Sequence, residues 1–243
     1  LAALALAAGP AAAFEPTGDA VADAFLSIVE AQTENGSVSA SGASTEGDVT
    51  TIRGFAATTT DDGETLSMTS GSVAITDGVV ADDGSMTAER LAFADFSVSA
   101  DPDPFRMRIA EIAATDVRLD PPAAATEGGL PADEAAWRTL RLSDITLTGD
   151  GEITVEEVRL RASGLDDETL REGTLAVSGV AIPMATIEDE DMRANLDALG
   201  YDGIAFDLAV DGTWAPANGV LDLEDVRVTA RDMGVLTFTA TLG

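Results

Sequence analysis

Three residue types are missing from this chain of 243 residues, which contains no cysteine, no histidine and no lysine. Without histidine or cysteine it can supply no Ser-His-Asp or Cys-His nucleophile, no histidine-ligated zinc site and no iron–sulfur cluster. Without lysine it can form no Schiff base and has no P-loop lysine. Hydrolysis by paired carboxylates and calcium binding stay open.

Basic residues are also scarce: 13 arginines stand against 44 acidic residues, and the formal net charge is -31. Such a charge repels phosphate backbones and anionic membrane surfaces, so we expect no nucleic-acid partner. The acids are scattered along the chain, which favours a strongly hydrated acidic surface over a cation-loading one.

The chain opens with LAALALAAGPAAAFEP. Its apolar run is too short to span a bilayer, and the alanines before Phe14 are typical of a cleavage site. We predict that residues 1–13 belong to a secretory signal peptide and that the protein is periplasmic or secreted, with no transmembrane segment after export. The signal peptide lacks its basic start and the last residues, TFTATLG, are strand-like, so we expect truncation at both ends. Without cysteine, the exported protein needs a sizeable core in place of disulfides.

One pattern recurs along the chain: large apolar residues occupy positions 1, 3, 6 and 8 of an octapeptide. The segments are LAFADFSV, LRLSDITL, ITVEEVRL, LAVSGVAI and LDLEDVRV, beginning at residues 91, 140, 153, 175 and 221. In a regular strand the three-residue step would turn the second apolar pair to the opposite face. Either a bulge returns both apolar pairs to one face, or the strand is regular and its two apolar pairs pack into two different cores on opposite faces of the sheet. The small or acidic central dipeptide favours the bulge, and repeated bulges would curl a sheet.

The predicted fold is mainly β: a long, twisted antiparallel sheet, curled into a half-barrel or groove or folded into a sandwich, with three short α-helices. Residues 14–243 form a single β-rich domain with a long surface loop at 120–131. Capping residues and apolar spacing place the helices at Asp19–Thr33, Asp133–Thr139 and Glu188–Leu199. Hairpin-linked strands after Tyr201 are expected to turn at Asp211-Gly212, Asn218-Gly219 and Met233-Gly234.

Candidate chemical sites are few, and we assign no catalytic, cofactor-binding or metal-binding residue. Thr146–Glu157 mimics an EF-hand loop, but threonines stand where a calcium site needs its first two carboxylates, so a hairpin turn is favoured. The acidic run Glu188–Asp191 suits the start of a helix. Phe206 and Trp214 indicate either core or an apolar groove for a lipid.

The leader, the short helix and strands such as GVLDLEDVRV and DMGVLTFTATLG resemble those of AsmA-like and YdgA-like exported bacterial proteins. This resemblance implies a place in the cell envelope and, as in some members, lipid handling along an elongated β-groove. AsmA-like proteins usually keep a transmembrane anchor, whereas no stretch of the given sequence approaches membrane-spanning length. We expect a non-enzymatic exported envelope protein that binds an apolar ligand or a partner along a sheet groove or edge. The alternatives are a carboxylate-dependent extracytoplasmic hydrolase and a structural or adhesive surface protein.

Overall fold

The computed structural model describes residues 14–33, 36–61, 63–120, 135–149, 151–163, 171–215 and 220–242. The predicted signal peptide, most of the predicted loop at 120–131 and the expected turn at Asn218-Gly219 lie outside these ranges. Among the described residues, no helix combines the length and the apolar character needed to cross a membrane.

Helix α1, Ala20–Gln32, begins where the sequence predicts it. The Asp19 carboxylate accepts hydrogen bonds from the backbone N–H groups of Val21 and Ala22, each at 3.0 Å. These bonds satisfy two of the donors that a helix leaves free at its first turn. The hydroxyl of Thr45 also donates to Asp19, so the cap ties the helix to the neighbouring sheet.

The rest of the described chain is dominated by fourteen strands in one sheet. Their bounds are β1 Ser37–Ser39, β2 Gly42–Glu46, β3 Val49–Asp61, β4 Glu64–Thr76, β5 Val79–Val80, β6 Met86–Asp101, β7 Arg106–Leu119, β8 Ala135–Ala136, β9 Thr139–Thr148, β10 Glu152–Ser163, β11 Arg171–Pro183, β12 Gly203–Ala215, β13 Val220–Ala230 and β14 Gly234–Leu242. Between β11 and β12 lie a single 3₁₀ turn, Met184–Thr186, and helix α2, Glu190–Ala198.

The strands follow the order β1-β3-β4-β6-β7-β9-β10-β11-β12-β13-β14, while β2, β5 and β8 pair with β3, β6 and β7. Every pairing between the described strands is antiparallel, and the first and last strands of this path do not pair with each other. The prediction of a mainly β protein built on a long antiparallel sheet is therefore confirmed, and the sheet is not closed.

The prediction of a third helix at Asp133–Thr139 is wrong. Ala135 and Ala136 form the short strand β8 against β7, and Thr139 begins β9. Between them, the N–H of Arg138 donates to the carbonyl of Thr115 and the carbonyl of Arg138 accepts from Ala162. Because these backbone groups are bound by strands on either side, they are not available for helical hydrogen bonds.

The predicted turn at Asp211-Gly212 is also wrong, since both residues lie inside β12. A Cβ added to Gly212 would lie 2.7 Å from the carbonyl oxygen of Asp222 on β13. Glycine is needed here because two backbones approach closely where their register shifts. Helix α2 is confirmed: the Asp189 carboxylate accepts the N–H of Met192 at 2.8 Å, so the acidic run does begin a helix.

The residues at which the octapeptides interrupt their alternation lie beside one another across the strands and form a line of skipped positions. From β3 to β10 the Cα pairing passes over an equal number of residues in both partner strands, two between β4 and β6 and one elsewhere. The residues passed over include Gly54, Gly71, Asp95, Ala110, Asp144 and Glu156. Alternate strands from β3 to β11 have a left-handed residue on this line, namely Gly54, Asp95, Asp144 and Gly179. Because neighbouring strands skip together, β3 to β10 keep their register.

The predicted bulge, with an inserted residue, is found in two of the octapeptides. The register shifts by one between Val177 and Val180 of β11 and between Leu223 and Val226 of β13. In β6, the rings of Phe93 and Phe96 lie edge-on with centroids 5.8 Å apart, although a regular strand would place them on opposite faces. The skip therefore keeps both apolar pairs on one face of this strand.

The core lies between α1 and this apolar face at the β1–β7 end of the sheet. Phe25 of α1 packs against Phe55 and Phe93, with ring centroids 5.9 and 6.1 Å away. The buried cluster also contains Leu26, Ile52, Val73, Ile75 and Met86. Trp137 and Leu140 are partly buried at its margin, where the apolar face continues beyond the helix.

Candidate apolar groove

The apolar positions of successive octapeptides form rows that run across the strands. Directly opposed residues in an antiparallel sheet lie on the same face. One row continues from β9 to β14 through Leu140, Leu160, Leu175, Val210, Val226 and Phe238. The next row runs through Leu142, Val158, Val177, Leu208, Val228 and Leu236. A single apolar face thus extends from the core to the last strand.

Cover on this face is lower on the last strand than at the core, although Val226 of β13 is buried. Leu140 packs against the buried cluster under α1, and Leu160, Leu175 and Val210 are only partly buried. On β14, Leu236 is 61% exposed and Phe238 is 47% exposed. Large contiguous apolar surfaces of this kind mark sites where a ligand or a partner binds.

A groove indents this face between β10 and β13. A row of small or absent side chains, Ala162, Gly173 and Gly212, crosses three strands and is followed by Leu223 on β13. Large residues border the row on both sides: Leu160, Leu175 and Val210 on one, and Trp214 with its neighbour Leu221 on the other. From the row of Val210 to that of Trp214 the trough is roughly 13 Å wide, at about 3.3 Å per residue.

The resulting cavity has a volume of about 380 Å³. Its walls come mainly from apolar side chains, and both tryptophans of the chain, Trp137 and Trp214, line it. Trp214 is 42% exposed. The groove therefore offers apolar contact and indole rings to a ligand.

The sequence drew attention to only part of this groove. Trp214 lines it as suggested, whereas Phe206 is not among its lining residues and borders a smaller cavity of about 160 Å³ with Gly179 and Arg231. The small row was missed, because Ala162, Gly173 and Gly212 become neighbours only through the register of β10, β11 and β12. Aligning the octapeptides as adjacent antiparallel strands would have placed these three small residues side by side.

A second cavity, of about 430 Å³, lies beside the start of α1 and has both polar and apolar residues in its lining. Asp19, Asp48 and Asp77 contribute to its lining. Nearby, a hydrogen bond to Asp77, together with repulsion from Asp77, Asp116 and Asp48, raises the pKa of Glu89. No group of three or more carboxylates among the described residues is placed to hold a metal ion. Asp77 and Glu89 are both exposed, unlike the acid of a glycosidase, which is held in an apolar cleft.

The Thr146–Glu157 segment forms the β9–β10 hairpin, as the sequence favours. The N–H of Gly149 donates to the carbonyl of Gly151 at 2.9 Å across the turn. Glu157 pairs with Arg141 and Arg159. Desolvation raises the pKa of Glu157, but these two arginines outweigh it and the net effect is a lowered pKa. This carboxylate is thus bound within the sheet.

Comparison of the chain with protein-family models, with curated proteins and with solved structures finds no match. The function is therefore inferred from the groove and from the apolar face that contains it.

Proposed function

We propose that this protein is a non-enzymatic, exported protein of the cell envelope that binds an acyl chain in the apolar groove. The cavity between Trp137 and Trp214 carries this proposal, because it lies on an apolar face that no described helix covers there. Its volume of about 380 Å³ falls within the range of sites for small molecules, which are mostly apolar with a few polar groups at the border.

The energetics of an acyl chain suit such a groove. Burial of one methylene group contributes about 0.8 kcal/mol, so roughly ten buried methylenes contribute about 8 kcal/mol before the cost of association. Tryptophan adds a large, rigid apolar surface with a polar N–H at its edge, as in proteins that meet a membrane interface. Because the net charge is -31, a neutral or zwitterionic lipid is expected to bind better than a fatty acid carboxylate.

Several sequence-based expectations are part of the same proposal. Export through the N-terminal signal peptide would place the protein in the periplasm or outside the cell. The resemblance to AsmA-like and YdgA-like proteins supports lipid handling in the envelope. The repeated skips supply a physical reason for the sheet to curl around the ligand, because bulges increase local twist.

The test uses the two tryptophans as reporters, since both line the groove. Phosphatidylcholine with short, brominated acyl chains is added to the full chain, and quenching of indole fluorescence is measured. The groove-filling variant is Gly173→Leu, because a Cβ at this residue meets only the carbonyl oxygen of Arg161, at 3.7 Å. The matched control is Ala176→Leu, an exposed residue of the same strand whose side chain points to the opposite face.

We expect saturable quenching in the parent chain and in Ala176→Leu, and at least tenfold weaker binding in Gly173→Leu. Native mass spectrometry of the purified protein should show bound lipid in the first two proteins and less in the third. A parent chain that carries no lipid and ignores the added lipid contradicts the proposal. Equal binding by Gly173→Leu would place the lipid elsewhere.

A further inference from the structure

The floor of the apolar groove ends at one large side chain. Its small residues Ala162, Gly173 and Gly212 lie opposite one another on β10, β11 and β12. The next residue of this row is Leu223 of β13, which pairs with Gly212. On its other side Leu223 pairs with Ala240 of β14, so the row becomes small again. Leu223 is thus a single large side chain within a row of small residues.

The side chain of Leu223 leans over the end of the groove floor. A Cβ added to Gly212 would lie 3.3 Å from Cδ2 of Leu223. Leu223 lines the cavity and is only partly buried, so its methyl groups face the space that a ligand would fill. They form an end wall of the groove on the side of β13.

A bulge in β13 brings a leucine to this position. Asp211 pairs with Asp225 in the regular register of the two strands. Gly212, the next residue of β12, pairs with Leu223, so the pairing passes over Glu224. Without the bulge, Glu224 would stand beside Gly212, and a carboxylate there would lose hydration when an acyl chain bound. The bulge therefore gives the end wall an apolar surface.

The opposite end of the groove is closed by Trp137. The N–H of Ala162 donates to the carbonyl of Arg138 at 2.8 Å, which holds the neighbouring Trp137 beside the first residue of the row. Trp137 lines the cavity and is partly buried against the core cluster. Large residues also border the row along both of its sides, so the row is the deepest line of the groove. An extended acyl chain is therefore expected to lie across the strands, between Trp137 and Leu223.

We propose that Leu223 sets the longest acyl chain that the groove can bury. This inference rests on the proposed function and adds its selectivity for chain length. From β10 to β13 there are three strand spacings, about 14 Å. A methylene group advances an extended chain by about 1.25 Å, given a C–C bond of about 1.5 Å, so about 11 methylenes fit. Removal of the Leu223 side chain opens one more strand spacing, as far as Ala240, with room for about four more methylenes.

The test measures how the affinity for lysophosphatidylcholines depends on acyl chains of 8 to 16 carbons. Each lipid is kept below its micelle-forming concentration, and binding to the full chain is followed by tryptophan fluorescence. The variant is Leu223→Ala. Leu223→Val, which removes both Cδ atoms but keeps a residue favoured in strands, serves if the alanine variant is unstable. The matched control is Leu221→Ala, which removes the same atoms from the same strand at the side of the groove. Circular dichroism checks the strand content of each variant.

We expect the affinity of the parent chain to rise about fourfold per added methylene, up to about 11 carbons, and then to level off. In Leu223→Ala the rise should continue for about four more carbons, and Leu223→Val should shift the limit in the same direction by less. Leu221→Ala should bind every lipid more weakly and keep the parent limit.

The outcomes separate this inference from the proposed function. A parent chain that binds the lipids with a limit unchanged in both Leu223 variants overturns the inference and leaves acyl-chain binding in place. An equal shift of the limit in Leu221→Ala also overturns it, because the end wall would then have no special part. A parent chain that binds none of the lipids contradicts the proposed function, and the inference fails with it.

Discussion

Gly179 offers the most direct test of the line of skipped positions across the sheet. It occupies position 5 of the octapeptide LAVSGVAI in β11, with φ of +65°. A Cβ added there would lie 2.3 Å from Cγ and 2.7 Å from Cβ of Glu156 on β10. Its N–H donates to the carboxylate of Asp207 on β12 at 2.8 Å. Gly179 thus joins three strands at the point where β11 gains a residue.

Gly179→Ala should lower the free energy of unfolding by about 2–5 kcal/mol. Left-handed backbone costs an L-residue about 1–2 kcal/mol, and crowding against the stem of Glu156 adds about 1–3 kcal/mol. The matched control is Gly173→Ala in the same strand, where the new Cβ has an ordinary 3.7 Å contact and φ is not positive. That substitution should raise stability by about 0.4–1 kcal/mol by restricting the unfolded chain.

Urea denaturation followed by circular dichroism measures both variants. The midpoint should move down for Gly179→Ala and up for Gly173→Ala, with the slope unchanged, because neither substitution alters the surface exposed on unfolding. Equal midpoints for the two variants would refute the assignment of Gly179 to a strained, crowded skip position.

Two further predictions concern acidic residues with unusual surroundings. Asp144 has φ of +51° in β9. Asp144→Gly should therefore raise the free energy of unfolding by up to about 1 kcal/mol, whereas Asp144→Val should lower it by about 1–2 kcal/mol. Urea denaturation midpoints in the opposite order would contradict this prediction. Asp77 raises the pKa of Glu89 above 4.5, so the folded state holds this proton more tightly than the unfolded chain. The resulting contribution to the free energy of unfolding is present below pH 4.5 and is lost as the pH rises through the raised pKa. Glu89→Gln should remove that loss, and an unchanged pH dependence of the urea midpoint in this variant would contradict the prediction.

The sequence predicted those features that depend on neighbouring residues. Both confirmed helices begin after an aspartate, Asp19 or Asp189, whose carboxylate accepts hydrogen bonds from backbone N–H groups. Such caps can be predicted from a few neighbouring residues. The octapeptides indicated long strands with a local irregularity, because apolar spacing records which face of a strand is buried. The hairpin at Thr146–Glu157 followed from its glycine-containing turn.

The errors arose where distant strands decide the outcome. DEAAWRT has helical spacing, yet Arg138 is hydrogen-bonded by β7 and β10 on either side. Asp211-Gly212 is a strong turn signal, yet Gly212 serves a close approach to Asp222. The small row of the groove could not be predicted for the same reason, because it depends on the register of three strands. At such sites, hydrogen bonding and packing with distant strands outweigh the local helix or turn propensity of the sequence.

The line of skipped positions also explains why one apolar face can extend so far. A change of one residue in phase turns each later side chain of a strand to the other face. In β3 the step from Ile52 to Phe55 across Gly54 leaves both in the core cluster, and in β6 the rings of Phe93 and Phe96 touch across Asp95. If one strand lacked the skip, its second half would present polar residues between two apolar neighbours. From β3 to β10, matching skips in adjacent strands keep the apolar face continuous, whereas further along the sheet β12 and β14 have no skip and the residues inserted in β11 and β13 keep their apolar pairs on the same face.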